Sequence, residues 1–297
     1  MNATPIVSVV MCCYNSERYL RESIDSILNQ TFTDFEFVIW NDGSTDRTEE
    51  IIRSYSDTRI RYFSEKNQGL GKALHDACEK VTGKYIVRMD DDDISLPNRL
   101  QVEYSFMEKH KDCVLASSAV YYIDESGEIF GFSAPALTDG VLKKTFSFVH
   151  PGVIFRREIY LQTIGYQNLR TAQDKVLWQM FSPLGKFRNI NQILLKYRIQ
   201  SNSIGRKQRI PELTNCCEQI RCRLVEEGRQ GYLCSELIEL HNHIFCLNSQ
   251  LSKNLPAVKD QRNGLYSKVC NMLCLFMKKE CASKLLSCCI TIYRTIK

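Results

Sequence analysis

Through the first 123 residues, apolar positions follow a strand period and a helix period in turn. Ile6–Cys12 is a nearly continuous apolar run, the pattern of a strand buried on both faces. Leu20, Ile24, Ile27 and Leu28 then recur at helical spacing, with Asn15 or Ser16 placed to cap the helix. Phe35–Trp40 predicts a second strand, and Asn41-Asp42-Gly43-Ser44 is strong turn chemistry after it. Thr45 or Asp46 can cap a helix carrying Ile51, Ile52 and Tyr55. Ile60–Phe63 predicts a third strand. Leu70, Ala73, Leu74, Ala77 and Val81 mark a helix that Gly83 closes. Tyr85–Met89 predicts a fourth strand running into Asp90-Asp91-Asp92-Asp93. Pro97 opens a helix with Leu100, Tyr104 and Met107, and Cys113–Ile123 reads as another strand. Such alternation predicts an α/β fold of Rossmann-like kind, a mostly parallel central sheet flanked by helices.

Beyond residue 123 the alternation weakens. The Gly/Ser/Pro-containing stretch 126–140 reads as loop, Gly152–Phe155 as strand, and 173–181 as helix from Val176/Leu177 and Met180/Phe181. Phe187–Ile190 and Ile193–Ile199 read as two strands. From Pro211 onward, periodic Leu, Ile and Cys predict helices. The expected organisation is a catalytic domain over 1–205, with halves 5–123 and 124–205, followed by a helical C-terminal region over 206–297.

Charge and cysteine content narrow the classes. The formal charge is +5, but residues 259–297 hold eight Lys/Arg against two Asp/Glu. The rest of the chain is therefore close to neutral, which gives no reason to expect a nucleic-acid partner. In 259–297 the cations alternate with Leu265, Val269, Leu273, Phe276, Leu285, Leu286 and Ile290. An interfacial helix touching the membrane periphery and a helix packed on the catalytic domain both fit that pattern. The 14 Cys include no C-x-x-C pair, and no secretory signal opens the chain. Reduced, buried thiols in a cytoplasmic protein, or one at the inner membrane face, are the expectation. No apolar run reaches the ~18 residues of a membrane-spanning helix.

In open α/β sheets, ligands bind outside the carboxyl ends of the strands. Three predicted strands end in polar residues: the first in Cys13-Tyr14-Asn15, the second in Asn41–Asp46, the fourth in the aspartate run. Asp90 and Asp92 are two apart, so in extended backbone their carboxylates share a side. Close like charges repel, and Mg²⁺ or Mn²⁺ removes that repulsion while also meeting substrate phosphates. A solvated acidic turn is the competing reading. Asp42, beside a glycine that permits close approach, can accept from a nucleobase imide N–H or serve only its own turn. A dinucleotide site is disfavoured, because Gly69-Leu70-Gly71 follows a different strand and lacks the third glycine. Neither a P-loop nor an H-E-x-x-H zinc motif occurs. His241, His243 and Cys246 split across helix faces and predict no metal site.

Residues 5–105 resemble glycosyltransferase family 2. The similarity is carried by V-S-V-V-M-C-C-Y-N, by L-x-x-S-I-x-S-I-L-x-Q-T-F-x-D-F-E and by N-D-G-S-T-D-x-T. It continues through N-x-G-L-G-K-A-L and G-K-Y-I-V-R-M-D-D-D-D-I-S-L-P-x-R-L. The resemblance implies a GT-A fold, a nucleoside-diphosphate-sugar donor with UDP favoured, Mn²⁺ or Mg²⁺, and inversion at the anomeric carbon. It places the metal on Asp90 and Asp92 and base reading on Asp42, with Asn41 where the family often has a second Asp. Donor contacts are expected from Cys13, Asn15, Asp42, Asp90, Asp91 and Arg198, the last within Lys196-Tyr197-Arg198. Thr171–Trp178 looks like the family's acceptor-side segment. There Asp174 is the expected catalytic base, while Gln173 replaces a Glu. His150, in His150-Pro151-Gly152, is an acceptor-region candidate. The implied acceptor is a hydroxyl of a glycan or a lipid-linked glycan. A metal-dependent nucleotidyltransferase or phosphohydrolase, and a sugar-nucleotide-binding protein without turnover, stay open as alternatives.

Overall fold

The computed structural model describes residues 4–133 and 148–200, with positions 225, 238, 239, 241 and 242 farther on. Described residues up to Asn168 and from Leu177 to Gln200 belong to one compact unit. Leu169–Val176 and the described positions beyond 200 belong to a second. Of the expected C-terminal helices only positions 225, 238, 239, 241 and 242 are described, each helical, and the basic segment 259–297 with its membrane contact lies outside the described residues.

In chain order the elements are β1 (Val7–Cys13), α1 (Leu20–Leu28), β2 (Phe35–Asp42), α2 (Thr48–Arg53), β3 (Ile60–Glu65), α3 (Leu70–Lys80) and β4 (Tyr85–Met89). Next come β5 (Ile94–Ser95), α4 (Arg99–Lys109), β6 (Cys113–Ile123) and β7 (Ile129–Ser133). A 3-10 turn (His150–Gly152), β8 (Val153–Arg156), α5 (Arg157–Tyr160), α6 (Gln173–Phe181) and β9 (Lys186–Arg198) follow. Among the described residues the strands form one sheet in the order β3-β2-β1-β4-β8-β6-β9-β5, with β7 on β6.

The β3-β2-β1-β4 half is parallel throughout, as helix-connected strands require. All residues of β1, β2 and β4 are buried, which explains why they are mostly apolar, with Ser8, Glu36 and Arg88 as buried polar exceptions within them. The other half departs from the expected mostly parallel sheet. There β8 runs antiparallel to β4 and β6, β7 to β6, and β5 to β9, and only β6 and β9 pair in parallel. The physical reason is the connections. Strand β7 follows β6 through the tight turn 124–128, which forces an antiparallel hairpin, and β8 is entered from the 3-10 turn His150–Gly152.

Two further sequence expectations need correction. The 126–140 stretch holds strand β7, where loop was expected. The two strands predicted over 187–199 are one strand, β9, kept in register with β6 by shifts near Ser118 and Ala119.

The core lies where α1 and α4 meet the parallel half. Leu20, Ile24 and Ile27 of α1 and Leu100 and Met107 of α4 join Val7, Val9, Met11, Phe37, Ile39, Val87 and Met89 in one buried cluster. Burying each such side chain contributes about 1.5–3 kcal/mol. Cys12, Cys13, Cys78 and Cys113 are free and buried, and burial pushes the Cys113 thiol up to about 12. Among the described residues no helix is long and apolar enough to cross a membrane.

Candidate active site

Register places three polar strand ends on one edge. Cys13 pairs with Asn41, Met11 with Met89, and Asp42 with Glu65. The segments that follow β1, β2 and β4 therefore leave the sheet side by side, and hydrogen bonds join them. Asn15 takes a left-handed conformation, φ 54°, which a short amide side chain tolerates. Its Oδ1 accepts from Thr45 N at 2.8 Å, and its N–H donates to Ser44 Oγ at 3.0 Å. Ser16 N–H donates to Thr48 Oγ1 at 2.8 Å, while the Ser16 hydroxyl donates to the Asp91 carboxylate. Asp46 Oδ1 accepts from Thr48 N at 3.0 Å and closes the turn into α2, whose N-cap is Arg47 rather than the expected Thr45 or Asp46.

The turn after β2 is set by two residues. Gly43 has φ 71°, and a Cβ there would lie 2.5 Å from Asn67 N. Asn41 Oδ1 accepts from Ser44 N at 3.0 Å, and its Nδ2 donates to Tyr62 Oη at 3.2 Å. Asp42 is 4% exposed, and its two oxygens accept from Gln68 N and Gly69 N, each at 2.9 Å. The carboxylate thus fastens the entry to α3. Each oxygen keeps capacity for a further donor.

Asp90, Asp92 and Asp93 form the acidic centre, with one carboxylate oxygen from each lying within 4.8 Å of the others. Asp93 was missed by the period-two argument. Period-two alternation holds only for extended backbone, whereas the chain turns at Asp91–Asp92 and swings Asp93 inward. Asp93 is 0% exposed, and its Oδ2 has no hydrogen-bond partner. Burial, then the Asp90 and Asp92 carboxylates, raise Asp93 well above the usual carboxylate range. Burial and Asp90 raise Asp92, and burial with Asp92 pushes Asp91 up to about 7. Three convergent hard oxygens, crowded and under-neutralised, fit a divalent cation such as Mg²⁺ or Mn²⁺.

Two buried arginines brace this loop. Arg88, in β4, is paired with Asp90. Arg198, at the end of β9, is 4% exposed. Its Nε donates to Asp92 O at 2.8 Å, Nη1 to Asp124 O at 3.1 Å and Nη2 to Glu22 Oε2 at 2.6 Å. Its backbone N–H donates to Asp93 Oδ1 at 2.8 Å, and its guanidinium lies 4.2 Å over the Tyr19 ring. Arg198 therefore holds the acidic turn in place, a role the sequence did not separate from donor contact. Gln200, also missed, donates to Asp92 Oδ2 at 2.5 Å.

The other expected residues are placed as follows. Cys13 is 1% exposed, its side chain lies in the core cluster, and burial raises its thiol. Only its main chain is therefore available to a ligand. His150 Nε2 lies 2.8 Å from Tyr166 Oη, and burial with the Arg88 charge drives the imidazole well below its usual pKa. Arg99 ties the His150 turn to β4, donating to Arg88 O and Pro151 O at 2.8 Å each. Asp174 is half-buried in the first turn of α6 and belongs to the second unit, and the adjacent Gln173 is 6% exposed.

With this geometry in hand, the comparisons define the class. The model of Glycosyl transferase family 2 matches residues 8–164, more than half of the chain, and the protein belongs to that family. The uncharacterized glycosyltransferase MJ1057 of Methanocaldococcus jannaschii is 39% identical over 206 residues, covering 66% of this chain and 71% of that one. The O-antigen biosynthesis glycosyltransferase WbnJ of Escherichia coli is 31% identical over 207 residues, covering 67% and 81%. Among solved structures, S. aureus TarS 1–349 in complex with UDP-GlcNAc superposes with a TM-score of 0.64 at 18% identity, covering 89% of this chain and 78% of that one. The mannosyltransferase PcManGT from Pyrobaculum calidifontis, in complex with GDP-Man and Mn²⁺, gives 0.57 at 13%, covering 97% and 86%. The fold is the GT-A fold.

Proposed function

We propose that the protein transfers a sugar, with inversion, from a UDP-sugar to a hydroxyl of a glycan or lipid-linked acceptor in surface polysaccharide synthesis. The observation that carries this reading is the Asp90–Asp92–Asp93 cluster beside the Asn15 and Asp42 loops at one sheet edge. Family membership supports it, as do the UDP-sugar in TarS and the Mn²⁺ in PcManGT.

The residues divide the work. Asp90, Asp92 and Asp93 would hold Mn²⁺ or Mg²⁺, which when bound neutralises the diphosphate and stabilises it as leaving group. Arg198 keeps the Asp92–Asp93 turn in shape. Asp42 accepts from the base imide, and the main chain around Cys13–Asn15 lines the nucleotide. Asp174 takes the proton of the acceptor hydroxyl. The oxygen then attacks the anomeric carbon from the face opposite the diphosphate. The bond from that carbon to the diphosphate oxygen breaks, so UDP leaves and the configuration inverts.

Product identity tests the reading. Incubation with UDP-hexoses and Mn²⁺ should yield UDP together with free or transferred hexose. UMP with hexose 1-phosphate as the products would instead mean phosphoester cleavage at the same acidic centre.

A further inference from the structure

Among the described residues strand β7 is an edge strand, with three strongly exposed apolar side chains: Ile129 at 50%, Phe130 at 61% and Phe132 at 68%. Such groups are ordinarily withheld from solvent unless something covers them. We propose that the β6–β7 hairpin presents an aromatic platform, Phe130 stacked on Tyr122, that binds a neutral saccharide of the acceptor beside the aspartate cluster. The proposal rests on the glycosyl-transfer reading and names a subsite for its second substrate.

The platform is continuous with the acidic centre. The Phe130 and Tyr122 rings stack at 6.2 Å and 20°. Tyr122 in turn meets Tyr197 edge-on at 6.2 Å, its partner in the β6–β9 register. Tyr197 adjoins Arg198, whose N–H holds Asp93, and Lys196 pairs with Ile94 just after the acidic run. Burial first, then the fields of Asp90, Asp93 and Asp92, push the Tyr197 hydroxyl above its usual range. The exposed rings are thus the outer end of an aromatic line that begins at the acidic centre.

The hairpin is also held rigidly. Tyr19 Oη donates to Glu125 O at 3.0 Å, Arg18 pairs with Glu125 at 2.9 Å, and Arg198 Nη1 reaches Asp124 O. Asp124 Oδ1 accepts from Ser126 N and Glu128 N, closing a turn in which Gly127 has φ 93°. The platform is held by the same side chains that brace the acidic turn.

Charge selects the occupant. Residues 119–133 contain Asp124, Glu125 and Glu128 and no Lys or Arg. Arg18 neutralises Glu125, which leaves the Asp124 and Glu128 charges on the hairpin, and these disfavour anionic lipid and polyphosphate acceptors. A neutral sugar ring offers a C–H face to the aromatic surface and hydroxyls to the carboxylates around it.

Saturation-transfer NMR on the full chain tests this, using chitotetraose, maltotetraose and cellotetraose, with UDP and Mn²⁺ as the donor-side probe. At least one tetraose should be saturated by the wild-type protein. Phe130→Ala should raise its dissociation constant about tenfold, the scale of truncating an aromatic anchor. UDP binding and melting temperature should not change, since Phe130 is exposed. Equal tetraose binding by both proteins, or none by the wild type while UDP still binds, overturns the platform alone. Absence of UDP binding strikes the glycosyl-transfer reading beneath it. Loss of self-association, or of binding to phosphatidylglycerol vesicles, in Phe130→Ala with no saccharide effect would assign the hairpin to another partner and also overturn the proposal.

Discussion

Asp174→Asn should bind donor and cation as the wild type does, yet transfer sugar about 10²-fold more slowly or worse, the usual scale for removing a general base. Asparagine keeps the shape of aspartate but cannot take the acceptor proton. The site suits a base: the residue stands in the first turn of α6, where the helix dipole favours a charged carboxylate. It is half-buried, so it is neither a core residue nor a freely solvated one. A merely structural aspartate predicts something different. Asparagine caps and hydrogen-bonds at a helix start nearly as well, so activity would survive. Single-turnover transfer measured beside donor titration on the same variant separates the two. Near-wild-type transfer would remove Asp174 from the mechanism. The weight would then move to His150, the acceptor-region candidate, whose half-buried imidazole lies 2.8 Å from Tyr166 Oη.

Asp92→Asn should abolish transfer, and exhaustive chelation of the wild type with EDTA should do the same, with recovery on adding Mn²⁺ or Mg²⁺. Three carboxylates converge within 4.8 Å, and their mutual repulsion and burial raise Asp92 and Asp93. Without a cation the cluster destabilises the fold; with one, the same crowding becomes affinity. The metal-free Asp92→Asn protein should therefore melt no lower than metal-free wild type, because one repelling charge is gone. In Mn²⁺ it should lose the stabilisation that binding confers on the wild type. Undiminished turnover in EDTA would remove the cation from the account, and a marked fall in the metal-free melting temperature would make Asp92 a structural residue.

Sequence and structure agree where burial is symmetrical. Strands β1, β2 and β4 are covered on both faces, so each is a mostly apolar run broken only by a buried polar residue such as Ser8, Glu36 or Arg88, and β4 spans the Tyr85–Met89 expected of it. Edge positions hide better. In β7, Ile129, Phe130 and Phe132 face solvent within a Gly/Ser/Pro-containing stretch, so no inward face marks it as strand. Asn191 and Gln192 interrupt β9 chemically, but its pairing with β6 carries it through. At the site, Asp90, Asp92 and Asp42 were legible because they sit at strand ends. Asp93 was not, because a turn carries it inward. Arg198 and Gln200 reach Asp92 from more than a hundred residues away, a contact that no local pattern announces. The brace on the acidic turn is a product of the sheet's mixed half, the part the alternating pattern described least well.

The most direct test of a cation-assisted nucleotide-sugar site at this sheet edge is calorimetric titration of UDP, with GDP and dTDP beside it. Wild type would be compared in Mn²⁺ and in EDTA, and Asp42→Ala in Mn²⁺. The account predicts that UDP binds the wild type, that EDTA largely removes this binding, and that Asp42→Ala weakens it by about 1.5–3 kcal/mol, the loss of one charge-assisted hydrogen bond. The ligand-free melting temperature of Asp42→Ala should be recorded alongside, because Asp42 also fastens Gln68 and Gly69. No binding of any of the three nucleotides, or UDP affinity unchanged by both EDTA and Asp42→Ala, would contradict it.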